Sequence, residues 1–216
     1  MPRQTTYTPS VDSGYLDFYL DDTTGYPAVR NSSGTNTVIS PDRVVLFYGA
    51  PNDNGWWNID ISAGEALNCK HLEVLYYLRG ASNSATSESL LLYYNTDTTA
   101  TNYRYSYALW NGSDADGSAA GSNAAVIGFT TSNGSPVDEY THGRSYIPWF
   151  RDTNFVKHSM HEMNYITSAD TVTQIVLVHR WTATTTAITS LKFRTSTGIT
   201  NTFTRESKIL VLGHRY

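Results

Sequence analysis

The sequence contains a single cysteine, Cys69, so no disulfide can form within the chain. Packing and hydrogen bonds must therefore stabilise the fold, with oligomerisation as a further contribution. Charged residues are also scarce, at 16% against the roughly 25% typical of soluble proteins, and the 15 lysines and arginines form no basic run. With a net charge of −4 and no basic stripe, the chain is not expected to bind nucleic acid.

Long apolar runs and helical periodicity are missing as well. No stretch approaches the roughly 20 apolar residues that a membrane span requires, and the N-terminus lacks the apolar core of a secretion signal. We therefore expect neither membrane insertion nor export by a signal peptide. No long window repeats its apolar residues every 3.6 positions, and only residues 62–67 are compatible with one helical turn.

What the sequence does contain is a series of short apolar segments separated by polar turns. Residues 103–109 show the clearest pattern, because the odd positions are bulky and the even positions are small or polar, as in a strand with one buried face. Without interleaved helices, the segments predict an all-β protein, an antiparallel β-sandwich resembling a jelly roll. The predicted strands are 15–20, 44–48, 56–61, 71–79, 89–94, 103–110, 124–130, 146–155, 158–166, 174–182, 188–195 and 208–216.

No repeat or linker divides the chain, so residues 14–216 are predicted to form one domain with long loops. Segments 111–121 and 131–136 are rich in small polar residues and are predicted to be solvent-facing loops. Residues 1–13 are weakly patterned and are predicted to form an N-terminal arm. Such an arm is either disordered or attached to a neighbouring subunit, here through Tyr7 and Pro9.

The cluster from His158 to Glu162 superficially resembles a histidine–carboxylate metal site. Its histidines, His158 and His161, are three positions apart within a predicted strand, whereas a metalloprotease helix needs a spacing of four. Residues at this spacing in a strand point to opposite faces, so one metal ion could not easily bind both. We interpret the cluster as ordinary surface or hydrogen-bonded residues.

Asp114 and Asp116 resemble part of a calcium loop, but the third oxygen ligand and the downstream glutamate are missing. A turn capped by aspartate is the favoured interpretation, and calcium binding stays open as the alternative. Cys69 is predicted to be a small buried hydrophobe in spite of the adjacent Lys70 and His71. No nucleophile elbow, phosphate loop or dinucleotide fingerprint occurs, so we expect no catalytic residue, no metal and no cofactor.

Aromatic residues make up 13% of the chain and often occur in adjacent pairs. In a strand, such a pair places one ring on each face of the sheet. The inward ring packs the core, whereas an outward ring suits a subunit interface or a platform for sugars. The residues predicted to contact a partner subunit or a glycan are Tyr7, Trp57, Trp110 and Trp149.

The C-terminal segment 188–213 has two short apolar strands around a loop rich in threonine and serine. It resembles the terminal hairpin of tailed-bacteriophage structural proteins, in which I-x-x-I-x-F/I leads through a Ser/Gly loop to G-S-x-I-x-L-Y-G. Residues 205–207 replace the usual small residues before the last strand, and Val211 and His214 also depart from the pattern. The residues that match it are Leu191, Phe193, Ile209, Leu210, Leu212 and Gly213.

A second similarity lies in segments 73–79 and 91–103, which resemble the L-x-F-N-x-D-x-x-x-N-Y element of the same proteins. Together the two resemblances cover roughly residues 70–110 and 186–216. They imply a jelly-roll-like virion protein that decorates the capsid or belongs to the tail. They imply no catalytic residues.

The leading hypothesis is therefore a non-enzymatic bacteriophage structural protein, assembled in the host cytoplasm, that decorates or cements the capsid surface. Its expected partners are copies of itself, as a trimer or dimer, and the major capsid protein or other virion proteins. The alternative is a tail-associated receptor- or carbohydrate-binding module that contacts a host surface glycan through stacked aromatic rings. A glycan-processing enzyme of similar fold is a third, more distant hypothesis.

Overall fold

A computed structural model describes much of the chain, which divides into two compact units, Met1–Asp42 and Arg43–Tyr216. The sequence instead predicted one body from residue 14 onward. The predicted arm, residues 1–13 with Tyr7, lies outside the described residues. The structure describes residues 17–20, 27–30, 36–38, 43–50, 57–81, 86–111, 115–122, 125–132, 134–135, 139–166, 171–182, 186–196 and 203–215.

The first unit contains a three-stranded antiparallel sheet in the order β1-β2-β3. Its strands are β1 Asp17–Leu20, β2 Pro27–Arg30 and β3 Asn36–Val38. Strand β1 falls within the predicted segment 15–20. Strands β2 and β3 were not predicted, because three or four residues are too few to show an alternating pattern.

The second unit is a β-sandwich of two antiparallel sheets, which confirms the predicted fold class. One sheet has eight strands in the order β4-β15-β6-β11-β12-β13-β8-β9, and the other has four in the order β10-β7-β14-β5. The strands are β4 Arg43–Gly49, β5 Trp57–Asp60, β6 His71–Leu78, β7 Ser87–Tyr94, β8 Tyr103–Trp110, β9 Ala115–Ser122, β10 Val126–Thr131, β11 Thr141–Ile147, β12 Lys157–Ile166, β13 Val172–Trp181, β14 Ser190–Thr195 and β15 Lys208–His214.

Alternating side chains produce the core of the sandwich. In the long strands β12 and β13, every second residue is buried and the residues between them are exposed or half-buried. One face of the eight-stranded sheet therefore packs against the four-stranded sheet, and the other face, here called the outer face, carries the exposed side chains. Core side chains from the two sheets include Leu90, Leu92, Phe193, Val74, Leu177 and Val211.

Three predicted segments differ from the structure. Strand β11 occupies Thr141–Ile147 and is followed by a turn at 148–150, whereas a strand over 146–155 was predicted. The predicted loop 111–121 contains the edge strand β9, which pairs with β8 in spite of its weak β propensity. In segment 131–136, Ser132 is buried because its hydroxyl donates a hydrogen bond to Glu88 at 2.8 Å.

The expected single helical turn is confirmed by a short 3-10 helix at Gly64–Asn68. Cys69 follows it and is buried, as predicted, and its thiol donates a hydrogen bond to the Glu65 carbonyl at 3.3 Å. Desolvation raises the pKa of this thiol. The cysteine therefore contributes packing at this position, since thiolate formation is disfavoured there.

Candidate functional site

Trp57 was expected to point outward, but its side chain belongs to the core, with 3% of its surface exposed. Trp57 and Ile59 are the two inward-facing residues of the edge strand β5. The Trp57 ring packs against Phe203 with 5.0 Å between centroids, and its Nε1–H donates to the Ala50 carbonyl at 2.9 Å. Trp57 therefore has little ring surface to offer a partner or a glycan.

Trp110 is 39% exposed at the end of β8 and pairs with Gln174 of the neighbouring strand β13. Other large apolar side chains are exposed on the same outer face, one of them near Trp110 and two of them four positions further along β13. Met160 of β12 and Val178 of β13 are cross-strand partners, and Val172 begins β13. We call this set the apolar surface, and it consists of Trp110, Met160, Val172 and Val178.

Trp149 lies in the turn after β11, with half of its surface exposed and a backbone φ of +49°. This left-handed conformation is unfavourable for a bulky residue, so surrounding contacts must maintain it. The Trp149 amide donates to Nδ1 of His71 at 3.2 Å. The next residue, Phe150, is fully buried, and its amide donates to the Lys70 carbonyl at 3.2 Å.

The buried side chain of Lys157 fixes the far end of the same turn. Its Nζ donates hydrogen bonds to the carbonyls of Asp152 and Phe155, the second at 2.9 Å. Burial lowers the pKa of Lys157, and the nearby charge of Asp152 opposes that effect. The segment from Trp149 to Phe155 is thus held at both ends, which presents the Trp149 ring in a defined orientation.

A row of four rings extends from Trp149 across the outer face. The His71 ring contacts Trp149 edge-on, with 4.7 Å between centroids, and stacks on Tyr146 at 5.7 Å. Tyr146 in turn meets His214 edge-on at 6.4 Å. Burial lowers the pKa of His71, and the charges of His214 and Lys70 lower it further. His71 is therefore neutral, and its Nδ1 accepts a hydrogen bond from the Trp149 amide.

Tyr146 also lines a groove of about 240 Å³ on the outer face. Two ion-pair systems form its polar walls. Glu73 Oε2 lies 3.2 Å from His214 Nε2 and 3.6 Å from Arg43 Nη1, and the Arg144 Nε–Glu162 Oε2 distance is 2.9 Å. We call this site the aromatic groove. Its lining residues are Arg43, Glu73, Arg144, Ser145, Tyr146, Met160, Glu162 and His214, and His71 and Trp149 continue it.

A second polar cluster is buried between the two sheets. His161 accepts or donates hydrogen bonds at both ring nitrogens, to Ser145 at 2.6 Å and to Ser159 at 2.8 Å. Ser159 also bonds the Tyr94 hydroxyl at 2.8 Å and lies 3.4 Å from His179 Nδ1. The serine–histidine contacts have the lengths of a nucleophile–base pair, but these side chains are all buried. Within the cluster, the Tyr94–Ser159 bond links the two sheets.

The structure confirms the strand interpretation of the His158–Glu162 cluster, because His158 is exposed and His161 is completely buried. Within the described residues, no group of three or more histidine, cysteine, aspartate or glutamate side chains could hold a metal ion. Asp114 lies outside those residues. Strand β9 runs through position 116, and its side chains are likewise not described, so the calcium alternative stays a prediction.

Comparison with known proteins found no matching family model, no matching curated protein and no matching solved structure. In the described part of the chain, no helix is long and apolar enough to cross a membrane.

Sequence reasoning identified Trp149 but missed its polar neighbours in the groove. Arg43, Glu73, Arg144 and His214 come from four different strands, β4, β6, β11 and β15. Neither their spacing nor their composition marks them as a site. Only strand order and register bring them together, through pairs such as Gly213 with Leu72 and Ser145 with Val74.

Proposed function

We propose that this protein is a non-enzymatic structural protein of a tailed-bacteriophage virion that attaches to the capsid surface through protein–protein contacts. The apolar surface is the observation that carries the proposal. Exposed aliphatic side chains are common singly, but a group on three adjacent strands is typical of a surface that another protein covers. The resemblance of residues 188–213 to phage structural proteins supports the virion setting.

The composition of the apolar surface suits a subunit contact. Trp110 supplies rigid area with a polar ring nitrogen, and Met160 adapts its unbranched side chain to an uneven partner. Arg104 and Arg180 are cross-strand neighbours at the adjacent edge of this surface, with His158 beside Arg180. An apolar centre beside arginines is the usual arrangement of a protein interface.

The partners in this proposal are the major capsid protein or another virion protein, together with further copies of the chain as a trimer or dimer. Contacts between copies would multiply the attachment strength, because each copy bound to the lattice raises the effective concentration of its neighbours. The second candidate, a tail-associated carbohydrate-binding module, is favoured by a different observation, the aromatic groove.

The test uses purified virions that lack this protein, to which labelled protein is added. The variant Val178→Asp places a carboxylate on the apolar surface, and removing that charge from water on binding is costly. We expect at least about a tenfold weaker attachment, equivalent to 1.4 kcal/mol. Leu67→Asp is the matched control, because Leu67 is exposed on the 3-10 helix and not on the sheet.

Cryo-electron microscopy of complete virions gives the second measurement. The proposal expects density for this protein on the capsid, with the apolar surface on β12, β13 and β8 turned toward the lattice. Absence of the protein from purified particles would overturn it. Equal attachment of Val178→Asp and the unsubstituted protein would show that another surface makes the contact.

A further inference from the structure

We propose that the aromatic groove binds a neutral saccharide, an activity that goes beyond capsid attachment. The ligand class follows from three features of the groove: its exposed rings, its hydrogen-bond donors and acceptors, and its mixture of positive and negative side chains. Each feature excludes a different kind of ligand.

The rings provide a stacking surface. Tyr146 and Trp149 are both partly exposed, and the His71 ring contacts both of them. The C–H faces of a pyranose ring are apolar, so they pack on the electron-rich face of an aromatic ring. Tyr146 offers such a contact to one sugar unit, and Trp149 offers one to the next unit through the face that Lys70 Nζ does not cover.

The polar walls supply hydrogen bonds of both kinds. A sugar hydroxyl donates one hydrogen bond and accepts others, so a saccharide needs donors and acceptors side by side. The guanidinium groups of Arg43 and Arg144 offer only donors, and the carboxylates of Glu73 and Glu162 offer only acceptors. These groups pair with one another, so that donors and acceptors stand next to each other along the groove.

The charge balance argues for a neutral ligand. Two arginines face two glutamates among the lining residues, and Lys70 lies over the Trp149 ring, so an anion would meet the two carboxylates and a cation would meet the guanidinium groups and the Lys70 ammonium. A purely apolar ligand would remove these charges from water without replacing their hydrogen bonds. A neutral ligand rich in hydroxyl groups can form hydrogen bonds with both the guanidinium groups and the carboxylates.

The size and rigidity of the site agree with this ligand. A volume of about 240 Å³ is below the roughly 300–1,000 Å³ of pockets for drug-sized molecules, so it suits one sugar unit with the next unit lying toward Trp149. The hydrogen bonds from the Trp149 amide to His71 and from Lys157 to the loop carbonyls fix that ring in advance. Little conformational freedom is therefore lost on binding.

The groove and the apolar surface occupy different parts of the sheet. The groove is built mainly on β4, β15, β6 and β11, and the apolar surface on β12, β13 and β8. Met160 lies at their boundary. A capsid contact made through the apolar surface therefore leaves the groove residues on β4, β15 and β6 outside it.

The experiment applies the whole protein to an array of neutral and acidic oligosaccharides and then titrates the best neutral binder by calorimetry. We expect binding to neutral glycans and about a tenfold loss of affinity for Trp149→Ala, the effect of one lost stacking contact. Arg144→Met removes the donors of an exposed side chain and should weaken binding by a similar factor. Circular dichroism checks that each variant is folded.

Trp110→Ala is the matched control, since it removes an exposed tryptophan of the apolar surface and should leave the affinity unchanged. The proposal fails if no neutral glycan on the array binds, if acidic glycans bind more tightly, or if Trp149→Ala and Arg144→Met bind as well as the unsubstituted protein. Capsid attachment is judged separately, because Val178→Asp should weaken attachment to virions and retain saccharide binding.

Discussion

Several polar residues are buried among the apolar side chains of the sandwich core. His179 is almost fully buried, stacks on Tyr103 with 5.3 Å between ring centroids, and makes only a long contact to Ser159. Its Nε2 has no hydrogen-bond partner among the residues that the structure describes. Burial lowers the pKa of His179 from 6.5 to about 3, so the ring stays neutral in the folded state.

This histidine should make the protein sensitive to acid. Between pH 6.5 and about 3, the unfolded chain binds a proton at His179 and the folded chain does not, so the free energy of unfolding falls as the pH falls. The slope contributed by one such group is about 1.4 kcal/mol per pH unit. His161, also buried and with its pKa lowered by burial and by His179, acts in the same direction.

The variant His179→Phe should reduce that acid sensitivity. Phenylalanine keeps the stacking on Tyr103, removes the titrating group and the unpaired Nε2, and leaves Ser159 bonded to Tyr94 and His161. We expect a flatter profile of unfolding free energy between pH 6.5 and 4, measured by urea denaturation, with stability at pH 7 retained. The exposed His158→Phe should change the profile much less, and an unchanged slope in His179→Phe would contradict the prediction.

Among the elements, strand β10 depends on a glycine. The register of β10 against β7 shifts between Val126 and Gly128, which marks a β-bulge. Gly128 has a φ of +147°, a conformation that side chains rarely allow, and a Cβ at this position would collide with Met163 of the opposite sheet. The amide of Phe129 donates to the Met163 sulfur at 3.3 Å, so backbone and side chain fit closely here.

Gly128→Ala should therefore destabilise the fold strongly, by about 2–4 kcal/mol, through backbone strain together with overpacking. Gly64→Ala separates the two causes. Gly64 also has a positive φ, of +63°, but nothing lies within 4 Å of a Cβ there, so only strain of about 1–2 kcal/mol is expected. Thermal denaturation of both variants measures the difference, and equal effects would show that the Met163 contact contributes nothing.

The turn between β11 and β12 shows how tertiary contacts override a local pattern. Tyr146, Trp149, Phe150 and Phe155 form an apolar stretch that predicts a strand. Instead the chain leaves the sheet after Ile147, because Phe150 is buried and Lys157 bonds two carbonyls of the turn. The same departure from the strand exposes Trp149 beside His71, which creates one end of the candidate site.

At the scale of the whole molecule, the two sheets are joined by hydrogen bonds as well as by apolar packing. The Tyr94 hydroxyl, on β7 of the four-stranded sheet, bonds Ser159 on β12 of the eight-stranded sheet. Desolvation raises the pKa of Tyr94 far above its ordinary value, which keeps the hydroxyl protonated and available as a donor. Polar links of this kind fix how one sheet lies on the other, because a buried hydroxyl tolerates few alternative positions.

Removing that link in Tyr94→Phe should lower the free energy of unfolding by about 1–2 kcal/mol, measured by denaturant titration at pH 7. Tyr93→Phe is the matched control at the next position. Its hydroxyl accepts a hydrogen bond from Arg194 within the four-stranded sheet, so losing it removes no link between the two sheets. Tyr93→Phe is therefore expected to lower the free energy of unfolding less than Tyr94→Phe does. A larger decrease for Tyr93→Phe would contradict a role for the inter-sheet bond.

The strands that the sequence predicted well are those with one buried face. Strand β8, Tyr103–Trp110, has the predicted bounds, β12 begins one residue earlier than predicted, and β13 begins two residues and ends one residue earlier. Strand β9 was missed because its glycine, alanine and serine residues carry no pattern, and pairing with β8 supplies its conformation. Trp57 was misplaced because an aromatic residue in a strand has no local signal that says which face is inward.

The sequence by itself determined the class of the fold, since alternating residues, polar turns and a lack of helical periodicity leave few arrangements other than packed antiparallel sheets. It also determined that His158 and His161 point to opposite faces, because that follows from the period of a strand. Only the tertiary structure decided where the candidate site lies. Strand order joins Arg43, Glu73, Arg144 and His214 from distant parts of the chain, and a residue pattern of period two carries no information about which strands are neighbours.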